Sequence, residues 1–297
     1  MNVLPKGFSI GHHNDDYTGV TVIRCENGAI GGVDVRGGAP GTHETDCLHN
    51  EKMMDKVNAV ALCGGSAYGL QAIAGVMRYL KEQKIGFAVA NKVVPIVPGA
   101  VIFDLNDEEY RYPTEEFGYI AAKNASTTPS FGKVGVGKGA TVGKIRGMEY
   151  CCPSGVGFAS AKIGEATISA VVCVNALGDV LDDTGNIVEG AKKDDGTFLD
   201  TADFIFKNSS VVFPSMGTNT TIGCILTDAK ITKVQANKLA ALSHNGLARS
   251  ISPVHTDFDG DTMFCLSSGA FDADFLALEI AAQKVTSLAV INAVTSL

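Results

Sequence analysis

The stretch Ser215-Met-Gly-Thr-Asn219-Thr220-Thr221-Ile-Gly-Cys224 passes from polar residues straight into an apolar strand, Thr221–Thr227. Read locally it is a loop running into a β-prone segment. Two more apolar runs, Asn58–Cys63 and Ala166–Asn175, read as buried strands, the second stopped by the turn Ala176-Leu-Gly-Asp179. Helical spacing lies between them. After Gly64-Gly65, Ser66 reads as the cap of a helix carrying Leu70, Ile73, Met77 and Leu80. Thr227 or Asp228 reads as the start of a helix through Val234, Leu239, Leu242 and Leu247. The segment Phe271–Val294 is helical and apolar on most sides, and Glu279, Gln283 and Lys284 mark it as a core helix rather than a membrane span. Strands and helices intermixed in this way predict sheets covered by helices, an α/β or α+β fold.

Composition narrows the function classes. The chain has 297 residues, 45% hydrophobic and 19% charged, as a folded globular protein requires. Its net charge is −8 with no compensating Lys/Arg run, so nucleic acid is not an expected partner. No uninterrupted apolar run is long enough to span a bilayer, and the start lacks the pattern of a signal peptide. Eight cysteines without a CxxC do not make a disulfide scaffold, and the expected address is a reducing cytoplasm. Cys151 and Cys152, adjacent in the chain, read as packing residues.

Several motifs are tempting and incomplete. Gly132-Lys-Val-Gly-Val-Gly-Lys138-Gly139 matches GxxxxGK, but Gly139 stands where a P-loop needs Ser or Thr for magnesium. It reads as a strand or loop whose glycines allow close backbone approach. Gly64-Gly65-Ser66-Ala67-Tyr68 sits where a nucleophile elbow would, yet its fifth position is Tyr68, and His244 and His255 precede the Asp259/Asp261 pair. The histidines form neither HxxxH nor HxH, so no metal is expected. Asp257-Phe-Asp259-Gly-Asp261 has its glycine too early for a calcium loop. Extended, it would put Asp259 and Asp261 on one side; as a turn, it would leave them solvated. No cofactor is implied.

The Asn219–Thr220 bond carries a different chemistry. A threonine hydroxyl can attack the carbonyl before it, moving the acyl group from nitrogen to oxygen, and water then releases the ester. Thr220 would become a new N-terminus whose α-amine, with a reference pKa of about 7.7–8.0, acts as its own general base. Such a nucleophile needs no histidine.

Asn219-Thr-Thr-Ile-Gly-Cys-Ile-Leu-Thr-Asp228-Ala, His244-Asn-Gly-Leu-Ala-Arg249 and Asp259-Gly-Asp-Thr262 resemble the self-processing N-terminal-nucleophile peptidases of the DmpA type. That family includes L-aminopeptidase/D-amino-acid esterase-amidases, β-peptidyl aminopeptidases and nylon-oligomer hydrolases. Blocks at Gly41–Asp46, Gly64–Leu70, Val94–Val97, Gly139–Lys144 and Val174–Asp179 agree in order, so the likeness spans nearly the whole chain. It implies an αββα sandwich shared with the ornithine acetyltransferases. It also implies one domain, 1–297, made as a precursor and cut into 1–219 and 220–297, and assembly into a homotetramer or larger homo-oligomer. The activity implied is hydrolysis of short peptides, amides or esters through an acyl-enzyme; the alternative is acyl transfer of the ornithine-acetyltransferase type by the same nucleophile.

The resemblance also implies roles. Thr220 is the nucleophile, with Thr221 the alternative if the register differs by one. Asp259 and Asp261 support it, orienting the hydroxyl and holding the α-amine in its productive state. Asn175 is the oxyanion-hole asparagine. Lys144 stabilises charge or sets the proton inventory, or else is a surface lysine. Two positions depart from the family pattern: Phe103 stands where many members have Tyr, and His43 where many have Arg.

Overall fold

The computed structural model describes residues 3–105, 110–208 and 218–297. Ser215-Met-Gly therefore lies outside the described residues, whereas Thr218, Asn219 and Thr220 lie within them. Among the described residues, nine strands make one mixed sheet. They are β1 (Ser9–Asn14), β2 (Gly19–Val35), β3 (Thr42–His43), β4 (Lys56–Cys63), β5 (Gly99–Val101), β6 (Val156–Ile163), β7 (Ala166–Asn175), β8 (Thr220–Ala229) and β9 (Thr262–Phe271). The order is β6-β7-β8-β9-β2-β4-β5-β3, with β1 also paired to β2. The helices are α1 (Ala72–Glu82), α2 (Glu115–Lys123), α3 (Thr201–Lys207), α4 (Lys233–Ser250) and α5 (Phe275–Thr295).

Strand β2 joins two halves of this sheet. Gly19–Arg24 pair with β1 and β4, Ile30–Val35 pair with β9, and the ladder to β4 shifts register between Arg24 and Ala29. The halves face each other across one apolar layer that includes Ile23, Val60, Val171, Ile222, Cys224 and Phe264. Outside one half, Val172, Ile225 and Cys265 pack with Leu239 and Leu247 of α4 and Val285 and Val290 of α5. Outside the other, Val22 and Ala61 pack with Ile73 and Val76 of α1 and Ala121 of α2. The result is an αββα sandwich. Successive side chains of a strand point to opposite faces, so β7, β8 and β9 carry apolar side chains on both faces to fill a middle and an outer layer. That requirement is why β7 and β8 read as apolar runs.

The strands expected at Asn58–Cys63, Ala166–Asn175 and Thr221–Thr227 are present. Three local expectations are corrected. Ser66 does not cap a helix: it has φ +52° and follows Gly65 at φ +78°, opening a 3-10 turn, Ser66–Gln71, that leads into α1. A capping residue needs extended backbone, which this left-handed pair excludes. Neither Thr227 nor Asp228 starts a helix. Both belong to β8, where Thr227 Oγ1 donates to the Thr167 carbonyl and Asp228 accepts Thr167 N–H at 2.6 Å and Lys6 N–H at 2.9 Å. The helix begins later, at Lys233, with Thr232 and Gln235 forming a reciprocal capping box. The last helix begins at Phe275, capped by Asp274. It is long and apolar enough to cross a membrane, and it packs on β6, β7 and α4.

Candidate active site

The sequence-predicted residues converge at one end of the middle layer. Thr220 opens β8 opposite Asn175, the last residue of β7. Thr220 has the same strand parity as Ile222 and Cys224, which places it on the middle-layer side, while Thr221 shares the parity of Ile225 on the helix side. The Thr220 hydroxyl is hydrogen-bonded to the carbonyl oxygen of Asn219, the residue just before it. That same oxygen accepts the Gly260 N–H at 3.0 Å. Asn219 and Asp259 pair as a single parallel bridge, so the turn at 257–261 lies directly against this peptide.

Glycine is required at 260 by proximity. A Cβ there would stand 2.8 Å from Thr220 Oγ1 and 2.9 Å from the Ala39 carbonyl oxygen. Any side chain would push the turn away from the hydroxyl.

Asp259 and Asp261 are not solvated; each is nearly fully buried. Asp259 Oδ2 accepts Thr256 N–H at 2.7 Å and Thr256 Oγ1 at 2.6 Å. Burial, and then the neighbouring Asp261 charge, push the Asp259 carboxyl up to about 6 against the pull of the Thr256 bonds. Asp261 Oδ1 accepts Thr221 N–H at 2.6 Å, and Oδ2 accepts His255 N–H at 3.1 Å and meets His255 Nδ1 at 2.7 Å.

Lys144 is not a surface lysine: it is 1% exposed. Its Nζ donates to the Asn175 carbonyl at 2.9 Å, to Asn175 Oδ1 at 2.7 Å and to the Thr218 carbonyl at 3.1 Å. Burial draws its pKa down to about 7, with Cys151, Asp104 and Asp259 opposing. Three carbonyl-type acceptors hold the ammonium form in place, so a proton here is both well bonded and poorly solvated. Asn175 spends its amide nitrogen on the Phe103 carbonyl at 2.9 Å and the Thr218 carbonyl at 3.2 Å. Thr218 O is thus gripped by both Lys144 and Asn175.

Residues that sequence reading left aside also shape the site. Asp104 is buried, accepts Gly65 N–H at 2.5 Å and is pushed up to about 6 by that burial. A Cβ on Gly64 or Gly139 would reach within 2.6 Å of its carboxylate, so close packing on Asp104 accounts for one glycine in each of the two glycine-rich loops. His255 and Thr256 hold the two carboxylates; the only sequence signal for them was their place in the same short loop as Asp259 and Asp261. His43, the other departure from the resemblance, lies in β3, with Nδ1 3.3 Å from the Val97 carbonyl. Among the described residues no group of three or more His, Cys, Asp or Glu side chains is placed to hold a metal ion.

Residues 6–296 match peptidase family S58. The chain belongs to this family. An aminopeptidase of Mycobacterium leprae, itself described as uncharacterized, is 42% identical over 267 residues, 86% of this chain and 72% of that one. A 6-aminohexanoate-oligomer endohydrolase of Agromyces sp. is 33% identical over 277 residues, 90% of this chain and 74% of that one. Among solved structures, the L-aminopeptidase D-Ala-esterase/amidase of Ochrobactrum anthropi superposes with a TM-score of 0.70 at 17% identity. A β-aminopeptidase of Burkholderia sp. gives 0.68 at 20% identity, and both likenesses cover 97% of this chain and 84% of the other. They show the fold, which in the Ochrobactrum enzyme is described as a variant of the Ntn-hydrolase fold. This S58 chain is a hydrolase of the peptidase/amidase type.

Proposed function

We propose that this S58 peptidase severs its own Asn219–Thr220 bond and then uses Thr220 as the nucleophile of an aminopeptidase or amidase. The fragments would be 1–219 and 220–297, and the substrates short peptides, amides or esters. The observation that carries this reading is the Thr220 hydroxyl lying on the Asn219 carbonyl, whose oxygen the Gly260 N–H already holds. In the self-cleavage, Thr220 Oγ bonds to the Asn219 carbonyl carbon and gives up its proton to a base, the role we assign to Asp259 in the turn bridged to Asn219. The Gly260 N–H stabilises the oxyanion that forms. The carbon–nitrogen bond then breaks, the Thr220 nitrogen takes a proton, and water cleaves the resulting ester. Asn219 leaves with a carboxylate, and Thr220 keeps a free hydroxyl and a free amine.

In turnover the same oxygen attacks a substrate carbonyl, with the Thr220 α-amine as base. Asn175 and Lys144, which grip the Thr218 carbonyl in the continuous chain, are the donors for the substrate oxyanion once that segment withdraws. The buried pair Asp259 and Asp261 sets the protonation of amine and hydroxyl. Relatives named as an aminopeptidase and an oligomer endohydrolase support amide bonds as substrate and water as acyl acceptor.

The test is intact mass and N-terminal sequencing. The wild-type chain is expected to give two pieces, the smaller beginning with Thr220, and Thr220→Ala a single inactive chain. Active protein that stays uncut, or an active alanine variant, rejects the reading.

A further inference from the structure

Asp261 ties down the start of β8. One of its oxygens accepts Thr221 N–H at 2.6 Å, one residue beyond the proposed nucleophile. Its other oxygen is held twice by a single residue. His255 presents both its backbone N–H, at 3.1 Å, and its ring Nδ1, at 2.7 Å. His255 has φ +59°, a left-handed conformation that non-glycine residues adopt at a cost. A carboxylate oxygen only accepts, so Nδ1 carries the proton in this contact.

The ring is supported from behind. It packs edge to face on His244 of α4, with centroids 4.8 Å apart at 67°. His244 is fully buried, its pKa pushed down to about 4 mainly by burial, and Nε2 donates to the Asp34 carbonyl at 3.0 Å. It is therefore a neutral, fixed platform. The charged and titratable groups around this pair are Asp34 from β2 and Arg36 just after it, His244 from α4, and Asp259 and Asp261 from the turn itself, with Lys144 in reach of Asp259.

We infer that His255 is a positioning residue for the reaction: it fixes the Asp261 carboxylate in the orientation that holds Thr221, and through it the Thr220 hydroxyl, in line for attack. The inference rests on Thr220 being the nucleophile. Its geometric basis is the doubled contact to one oxygen by a residue in a strained conformation. A second consequence follows from charge. His255 also lowers the Asp259 carboxyl, so removing the imidazole leaves that carboxylate easier to protonate.

The experiment uses the full chain with His255→Leu, His255→Asn and Thr220→Ala. Fragment appearance is timed by intact mass, kcat and KM are measured against pH on a chromogenic amino-acid anilide, and each variant is melted. His255→Leu is expected to cut itself more slowly and to lose between about 10- and 100-fold in kcat, with KM within about twofold of wild type. The acid limb of its pH profile should move upward. His255→Asn keeps a donor for the Asp261 oxygen and should recover most of the loss. A folded His255→Leu with wild-type cutting, kcat and acid limb overturns the inference, and so does His255→Asn no better than His255→Leu. Should His255→Leu fail to fold, His255→Asn decides: a folded His255→Asn is expected to keep most of the wild-type cutting rate and kcat, and one that loses more than about tenfold in both overturns the inference. An active Thr220→Ala brings down the nucleophile reading and this inference together; an inactive one beside a normal His255→Leu brings down this inference alone.

Discussion

Lys144 and Asp259 carry opposite charges at the end of the middle layer, and burial pulls each toward neutrality, to about 7 and about 6. That is the range in which a group can both hold and release a proton near neutral pH. The sign for Asp259 follows from the raised value. Below about 6 it is protonated in the folded chain, and its unfolded counterpart, near 3.9, would still be ionised between those limits. The folded state thus binds the extra proton across that window, so ionising Asp259 above it costs stability. If the carboxylate form works on Thr220, self-cleavage should slow as pH falls through about 6, with a slope near one decade per unit below it. Timed denaturing gels across pH 5 to 8 would show this limb (the pH range chosen to bracket about 6 and 7); a rate flat through pH 6 would remove Asp259 from the step. At this scale Lys144 and Asp259 were legible through the family resemblance, but their burial was not. A solvated turn and a buried turn have the same composition, and Asp259 is buried only because Asn219, Thr256 and the Ala39 segment close around it.

At the scale of elements, the site is the meeting of one strand start with one turn. Strand β8 was readable from its β-branched, apolar run, and its pairing of Thr220 with Asn175 follows from an antiparallel register set far along both strands. The turn at 257–261 was readable as a turn but not as a partner of β8. Gly260 shows why it matters. Its N–H lies on the Asn219 carbonyl, and any Cβ there meets Thr220 Oγ1 and the Ala39 backbone. Gly260→Ala should fold, because the added Cβ meets only Thr220 and the Ala39 carbonyl, yet cut itself at least about tenfold more slowly, a displacement of the donor by about half an ångström being enough. Mass spectrometry of freshly purified Gly260→Ala over several days would test it; cutting at the wild-type rate would show that the Gly260 N–H is dispensable. The misread helix starts have a common cause. Ser66, Thr227 and Asp228 all have capping side chains, but each is held by backbone geometry or strand contacts that local sequence does not contain.

For the whole molecule, a cut before Thr220 would leave two interleaved pieces. The second contributes β8, α4, β9 and α5, and β8 and β9 stay hydrogen-bonded to β7 and β2 of the first. Each fully buried aliphatic side chain adds about 1.5–3 kcal/mol, and both apolar layers around β8 draw on both pieces. The cut protein is therefore expected to elute as one species in gel filtration and to part only in denaturant; free fragment 220–297 under native conditions would contradict this. The sequence alone determined that Asn58–Cys63, Ala166–Asn175 and Thr221–Thr227 are buried strands, that sheets lie under helices, and that a threonine at 220 could do acyl chemistry on the bond before it. These follow from periodicity and residue type, which act within a few positions; Asn175, Lys144, Asp259 and Asp261 were legible only through the family resemblance. Tertiary structure alone decided that Lys144 and Asp259 are buried charges, that Gly260 and His255 belong beside Thr220 and Asp261, and that Thr220 rather than Thr221 faces the middle layer with Asn175. The reason is physical. Burial and proton affinity depend on what long-range pairing brings against a group, and segments far apart in the chain, around 104, 144, 175, 220 and 260, meet only when the two half-sheets close on each other.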